Sequence, residues 1–310
     1  MNIIRDADKV NIKEKTAVTL GKFDGLHKGH QKLLSRVLEY KNKGLTSVVF
    51  TFLDYPLSVL SGTIQKVLLT EEEKEELLRQ TGVDYLIEYP FDYTLMTMEP
   101  EQFVKEILID KLNCHVIVVG SDFRFGYKRK GDVTLLKKLS TKYNYQLEVI
   151  EKETDELENE VSSTYIRSEL EKGNIQVVNK LLGGTYFIMG EVVHGMKLAR
   201  TLGYPTMNIT IEKEKKIPPN GVYVATIEID GKIYEAVANI GKKPTVCNDI
   251  QPILEVHVFN YSQDTYGKTV IVKLYSFVRG EKKFHSVEKL KAQMEQDVAY
   301  AKEYFRKVKQ

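Results

Sequence analysis

Long apolar runs, clustered cysteines and a surplus of either charge are all missing from this chain. No stretch approaches the roughly 18 consecutive apolar residues of a membrane-spanning helix. The opening residues, MNIIRDADKV, carry no apolar core of the kind a secretion signal needs. These absences predict a cytosolic protein with no membrane partner. The two cysteines, Cys114 and Cys247, stand far apart and form no CxxC. Buried thiols in a reducing compartment are therefore expected, rather than a disulfide or a metal knuckle. Basic side chains number 45 against 43 acidic ones, a formal charge of +2. That balance lacks the clustered basic excess on which nucleic-acid binding relies, so no nucleic-acid partner is expected. No internal repeat and no long linker interrupts the chain.

What is present suits a globular protein with two cores: 310 residues, 42% hydrophobic and 28% charged. Residues 16–23, TAVTLGKF, predict a first buried strand. After Gly29, the apolar positions Leu33, Leu34, Val37 and Leu38 mark one face of a helix that Gly44 stops. The near-continuous apolar run SVVFTF (47–52) then predicts a second strand, so the unit is βαβ and its sheet parallel. Thr70 followed by Glu73 is a capping box for a helix that Gly82 closes. Strand 83–89, helix 100–112, strand 115–120, a polar loop 121–132, the helix VTLLKKLSTKY and the strand QLEVIE follow. Five strands alternating with helices predict an α/β doubly wound parallel sheet of Rossmann-like form.

The pattern changes near residue 183. Two short helical stretches lead into strands YFIMGEVVHG, GVYVATIEIDG, KIYEAVANIG, ILEVHVFN and TVIVKLYSFVRG, with one helix from about 287 to 305. Asp230-Gly231 between two alternating runs is a hairpin signal. The second half is expected to be a small β-barrel with a terminal helix. The expected domains are 1–182 and 183–310.

Residues 21–30, GKFDGLHKGH, follow the first strand and open a helix, where orphan N–H groups and the helix dipole favour anions. Gly25 and Gly29 let the backbone approach a phosphate, and two imidazoles can donate hydrogen bonds to its oxygens. The stretch fits neither GxxxxGK[ST] nor GxGxxG. Zinc is a poor alternative, because no third or fourth ligand lies nearby at ligand spacing. In LEVHVF, Leu254, Val256 and Val258 alternate with Glu255, His257 and Phe259, so the Glu255 side chain faces opposite the apolar row.

GxFDGxHxGH resembles the signature of nucleotidyltransferases related to class I aminoacyl-tRNA synthetases. Residues 120–132 (GSDFRFGYKRKGD), 162–167 (SSTYIR), 190–208 (GEVVHGMKLARTLGYPTMN), 239–246 (NIGKKPTV), 254–260 (LEVHVFN) and 277–284 (FVRGEKKF) extend the likeness. Together they resemble bacterial bifunctional riboflavin kinase/FAD synthetases over nearly the whole chain. The resemblance implies that the second half phosphorylates riboflavin to FMN with MgATP, and that the first half adenylylates FMN to FAD, releasing pyrophosphate. It implies His27 and His30 as groups stabilising charge at the α-phosphate of ATP, with Arg167, Ser163 and Thr164 closing on the phosphates. Gly21, Phe23, Gly25, Gly29, Gly120, Ser121, Asp122 and Arg124 are the implied remainder of that ATP site. Asp24 joins them either as a polar contact or as a turn residue.

In the second half the resemblance implies Glu255 as the base for the riboflavin 5′-hydroxyl. It implies Thr206 and Asn208 as Mg²⁺ ligands, Gly190, Gly195 and Lys197 as a phosphate cradle, and Arg279 as a flavin contact. His194 and His257 are read as structural. Three positions depart from the family pattern. Lys22 stands where Asn is usual, Asp54-Tyr55-Pro56 replaces PHP, and 196–200 reads Met-Lys-Leu-Ala-Arg where glycine is more frequent. The expected partners are riboflavin, FMN and ATP, and the expected state is a monomer or weak homo-oligomer. Two other readings are an adenylyltransferase for another phosphorylated substrate, and a flavin- or nucleotide-binding regulator that has lost one activity.

Overall fold

The computed structural model describes residues 1–53, 65–195, 203–244 and 250–308, with the backbone alone for 242–244 and 250–251. Lys197 and Asp54-Tyr55-Pro56 therefore lie outside the described residues, as does Cys247. The chain divides into two units, Met1–Ser163 and Thr164–Gln310.

The first unit opens with a short strand β1 (Asn2–Ile4), followed by β2 (Thr16–Leu20), α1 (Lys28–Lys41), β3 (Thr46–Phe52), α2 (Glu71–Thr81) and β4 (Tyr85–Tyr89). Then come α3 (Tyr93–Thr97), α4 (Pro100–Gln102), β5 (Cys114–Gly120), β6 (Arg124–Phe125), β7 (Gly131–Asp132), α5 (Val133–Tyr143) and β8 (Gln146–Ile150). Among the described residues, six strands form one sheet in the order β1-β4-β3-β2-β5-β8, and all its pairings are parallel. The doubly wound sheet expected from the alternation is present. One strand more than expected joins it, because β1 is too short to show a period and is defined only by pairing with β4.

Val18 and Leu20 of β2, Val48 and Phe50 of β3, and Ile117 and Val119 of β5 bury one face of the sheet against Phe103, Val104, Ile107 and Leu108. Those last four belong to a segment expected to be an α-helix. Beyond α4 it runs as a π-helix over Phe103–Lys111, with Leu112 N–H donating to Ile107 C=O at 3.0 Å. All four apolar side chains are buried. On α1 the buried set is Leu33, Leu34, Val37 and Tyr40, with Tyr40 in place of the expected Leu38. The capping box opens α2 as expected: Glu73 N–H donates to Thr70 Oγ1 at 3.3 Å and Thr70 N–H to Glu73 Oε2 at 3.0 Å. The left-handed Gly82, φ 83°, closes that helix.

β2 is flanked by β3 on one side and β5 on the other. The strands that follow it run outward one way through β3 and β4, and the other way through β5 and β8. The carboxyl ends of β2 and β5 thus form the switch point at which open α/β sheets bind ligands. Both GKFDGLHKGH and residues 120–132 emerge there.

The second unit begins with α6 (Ser163–Glu171, from Thr164) and α7 (Ile175–Leu182). It continues through β9 (Phe187–Val193), β10 (Met207–Ile209), β11 (Gly221–Ile229), β12 (Lys232–Pro244), β13 (Ile250–Val258), β14 (Thr269–Gly280) and α8 (Val287–Val308). Among the described residues, the strands close an antiparallel barrel in the order β10-β13-β12-β11-β14-β9, with β10 pairing β9. The expected barrel and terminal helix are both there. The barrel has one strand more than the five expected, because Met207 and Asn208 begin the strand that closes it. Three residues show no alternation, and only pairing on both sides defines them.

Asp230 and Gly231, φ 50° and 74°, make the hairpin turn between β11 and β12. Ala301 and Phe305 of α8 cover Val222, Val224, Val237 and Phe259 on the barrel's outside. α7 is held to the barrel by Asn179, whose Nδ2 donates to Leu274 C=O at 2.9 Å while its Oδ1 accepts from Tyr186 N–H at 2.8 Å. The division at 163/164 leaves α7 and nearly all of α6 with the barrel, ahead of the 182/183 boundary expected from the strand pattern.

Candidate active sites

The strand expected to reach residue 23 stops at Leu20, and the chain then turns sharply. Phe23, Gly25 and Leu26 have φ of 50°, 89° and 43°. Glycine adopts such a conformation freely, but Phe and Leu are strained in it by about 1–3 kcal/mol each. Strain of this kind persists only where surrounding contacts over-determine the backbone. The contacts are present. Gly21 N–H donates to Phe50 C=O at 3.1 Å, and Gln31 Nε2 donates to Leu26 C=O at 3.0 Å. Asp24 Oδ1 accepts from Leu68 N–H and Leu69 N–H at 2.8 and 3.1 Å.

The loop delivers His27 as the N-cap of α1, without a side-chain cap bond, and His30 one turn on. The two imidazoles stack at a centroid distance of 3.8 Å, and His30 also meets the Phe23 ring at 5.1 Å. The Phe23 side chain is wholly buried and serves as a backstop for His30. A Cβ at Gly29 would come within 3.3 Å of the His27 ring, so this glycine keeps the space beside the imidazole. Nδ1 of each histidine is buried without a hydrogen-bond partner, and an unmade bond of that kind costs about 1–3 kcal/mol. The pair stands at the N-terminus of α1, where the helix dipole favours anions.

Burial pushes His27 down to about 4, and burial together with the neighbouring His27 lowers His30 well below the ordinary range. Both are neutral at pH 7, each with one N–H to donate. The sign for stability follows: below about 6.5 the unfolded chain takes up a proton that folded His27 refuses, until pH falls to about 4. The urea midpoint of the first unit should therefore fall between pH 6.5 and 4, and fall less in His27→Gln. An identical decline in the variant would show that this histidine is not the source.

After β5, the turn 120–123 is closed by Phe123 N–H donating to Gly120 C=O at 3.1 Å, while Ser121 N–H donates to Ile150 C=O at 3.0 Å. Ser121 and Asp122 are exposed at the switch point. Asp122 pairs with Lys152 at 3.1 Å, and Arg124 pairs with Asp132 at 3.0 Å across the β6–β7 ribbon. The loop expected at 121–132 thus contains a small antiparallel ribbon. Ser163 Oγ donates to Asp24 C=O at 2.8 Å, so this one residue of SSTYIR reaches the GKFDG loop. Thr164, exposed, and Arg167, half-buried, follow on α6.

In the second unit, Leu254, Val256 and Val258 are buried and Glu255 and His257 half-buried, as the alternation requires. Glu255 stands directly across from Asn208 on β10 and from Asn239 on β12. Opposed residues in antiparallel strands share a face, so Asn208, Glu255 and Asn239 form one polar row. The residue type at 239 is ordinary in a strand, and only the register reveals it. Gly195 abuts this row: a Cβ there would lie 2.1 Å from Asn208 Nδ2. Gly190 has a packing role, since its Cβ would lie 2.1 Å from Thr210 C=O. Thr206 precedes β10 by one residue. His257 Nδ1 lies 2.9 Å from Pro205 C=O, which can only accept, so the ring carries its proton on Nδ1 and steadies the Pro205-Thr206 segment. His194 is exposed and packs on the Tyr266 ring at 3.8 Å. Arg279 forms a fork with Asp297 of α8, Nε to Oδ1 at 2.9 Å and Nη2 to Oδ2 at 2.7 Å. Asp297 lies outside every sequence motif, and nothing short of the fold could pair it with Arg279.

A family model for FAD synthetase matches residues 9–165, and one for riboflavin kinase matches residues 182–305. A bifunctional riboflavin kinase/FMN adenylyltransferase of Buchnera aphidicola is 37% identical over 98% of this chain and 99% of its own. The chain belongs to the bifunctional riboflavin kinase/FMN adenylyltransferase family. A Bacillus subtilis member of the family is also 37% identical, over 94% of this chain and 93% of its own. A crystal structure described as a macrolide-efflux protein from Streptococcus pneumoniae is 32% identical, with a TM-score of 0.86 over 97% of this chain and 98% of that one. Among the described residues no helix is long and apolar enough to cross a membrane. The FAD synthetase match takes in the His27–His30 loop and the turn after β5, and the riboflavin kinase match takes in the Asn208–Glu255–Asn239 row.

Proposed function

We propose that this chain makes both flavin nucleotides: it phosphorylates riboflavin to FMN with ATP and then adenylylates FMN to FAD. The first step belongs to the barrel half, the second to the α/β half, with the division of labour near residue 182. The observation that carries the adenylyl-transfer assignment is the stacked pair His27 and His30 at the head of α1, at the switch point of a parallel sheet.

In that reaction an FMN phosphate oxygen attacks the α-phosphorus of ATP, and the bond from that phosphorus to the bridging oxygen of the β-phosphate breaks. Pyrophosphate leaves. Negative charge grows on the non-bridging α-oxygens, and catalysis is chiefly positioning and electrostatic stabilisation. Neutral His27 and His30 supply N–H donors fixed before the substrate arrives. The backbone of Gly21, Phe23, Gly25 and Gly29 shapes the cradle, and Gly120, Ser121, Asp122 and Arg124 form its opposite rim. Ser163, Thr164 and Arg167 complete the phosphate contacts.

In the kinase half, Glu255 takes the proton of the riboflavin 5′-hydroxyl as its oxygen attacks the γ-phosphorus, and ADP leaves with the bridging oxygen. Thr206 and Asn208 offer neutral oxygens, which suits a magnesium ion arriving on ATP and retaining its phosphates and waters. Gly190, Gly195 and Lys197 are assigned to the strand and loop that cradle those phosphates. Arg279, braced by Asp297, is assigned to the flavin side. We place the enzyme in the cytoplasm, acting on small molecules alone, as a monomer or weak homo-oligomer; the near-zero net charge supports the absence of a nucleic-acid partner.

Incubation with riboflavin and MgATP, followed by chromatography, should yield FMN and then FAD with pyrophosphate. Tight flavin binding with no product would overturn the proposal in favour of a binding regulator.

A further inference from the structure

We infer that Asp24 is a positioning residue of the adenylyl-transfer site: its carboxylate holds the strained loop that aims His27 and His30. The inference rests on the adenylyl-transfer reading and adds a residue that acts through others. Asp24 is only 1% exposed. Its Oδ1 accepts from two successive backbone donors, Leu68 N–H at 2.8 Å and Leu69 N–H at 3.1 Å. Its own C=O accepts from Ser163 Oγ at 2.8 Å. Three stretches distant in sequence, 23–27, 67–70 and Ser163, therefore meet on one residue.

One neighbour of this junction is anchored. Leu68 and Leu69 are buried, and the next residue, Thr70, is the N-cap of α2 in a reciprocal capping box. The segment that Asp24 grips is thus tied to a helix and cannot follow the loop if the loop moves. On the other side stand Phe23 and Leu26, with φ of 50° and 43°, one residue before and two after Asp24. A backbone in that region relaxes unless held. The Asp24 side chain can hold it, because its Oδ1 accepts from two successive backbone N–H groups of the 67–70 segment. His27 is the residue after Leu26, so relaxation of the loop moves the imidazole pair directly. A displacement of about 1 Å in a catalytic group can cost about 100-fold in rate.

Asp24→Ala should lower kcat for FAD formation from FMN by about 100-fold while changing KM for ATP little. Asp24→Asn keeps a carbonyl oxygen able to accept both N–H bonds and should recover most of the lost rate. Amide exchange at Leu68 and Leu69 should quicken in the alanine variant and return toward the original in the asparagine one. Riboflavin phosphorylation by the same preparations reports that the barrel unit has folded, and the urea midpoint of the first unit reports on the part that carries the substitution. Normal kcat in Asp24→Ala, unaltered exchange at 68–69, or an asparagine variant as slow as the alanine one would each overturn the positioning role. Absence of FAD formation in the unaltered chain would instead overturn the adenylyl-transfer reading, and this inference with it.

Discussion

His30→Ala should cut FAD formation from FMN and ATP by about 100- to 1000-fold, the cost of losing one fixed donor to developing phosphate charge. Riboflavin phosphorylation, which uses the barrel unit, should continue in the same tube. The expectation follows from the geometry of the pair. His30 stacks on His27 at 3.8 Å and leans on Phe23, so its ring is held before any substrate binds. Its Nδ1 is buried without a partner, and its low pKa keeps it an uncharged donor at pH 7. Truncation also removes a packed ring, and His30→Gln separates the two effects by restoring an N–H donor and part of the volume. Partial recovery in the glutamine variant is expected. FAD formation at the original rate in His30→Ala, measured by chromatography, would remove the histidine pair from the mechanism.

Glu255→Gln should have the complementary effect, lowering FMN production from riboflavin by about 100- to 10,000-fold, the usual worth of a positioned general base. Glutamine has the shape of glutamate but cannot take the hydroxyl proton. The polar row explains why little else should change: Asn208 and Asn239 flank position 255 in register and can hydrogen-bond an amide as well as a carboxylate. FMN supplied directly should still be converted to FAD by the variant. Undiminished FMN production would show that another group removes the proton.

Much of this architecture was legible in the chain, and the parts that were not share a cause. The βαβ alternation, the Thr70–Glu73 capping box, the Asp230-Gly231 hairpin and the alternation around Glu255 are local patterns. Their physics is completed within a few residues, through turn preference, capping and period. The strands β1 and β10 were missed because three residues carry no period, and each exists by virtue of pairing with strands far along the chain. The π-helical path of Phe103–Lys111 was missed because the same apolar spacing suits an α-helix. Lys22 is exposed in the loop that carries His27 and His30.

The candidate sites divide in the same way. Residue type, spacing and position after the first strand single out His27 and His30, whereas Glu255, Thr206 and Asn208 are picked only through the family resemblance. Asp24 stood open between substrate contact and turn residue, since its partners Leu68, Leu69 and Ser163 are remote in sequence. Asn239 became a neighbour of Glu255 only when the register of β12 and β13 was set, and Arg279 acquired Asp297 only when α8 packed on the barrel. By itself, the sequence determined the two-part plan and the family and nominated the candidate groups, because these depend on local patterning, on motifs in order and on side-chain chemistry. The tertiary structure alone decided how those groups are aimed and braced, because hydrogen bonds between distant segments arise only when folding brings their atoms within about 3 Å.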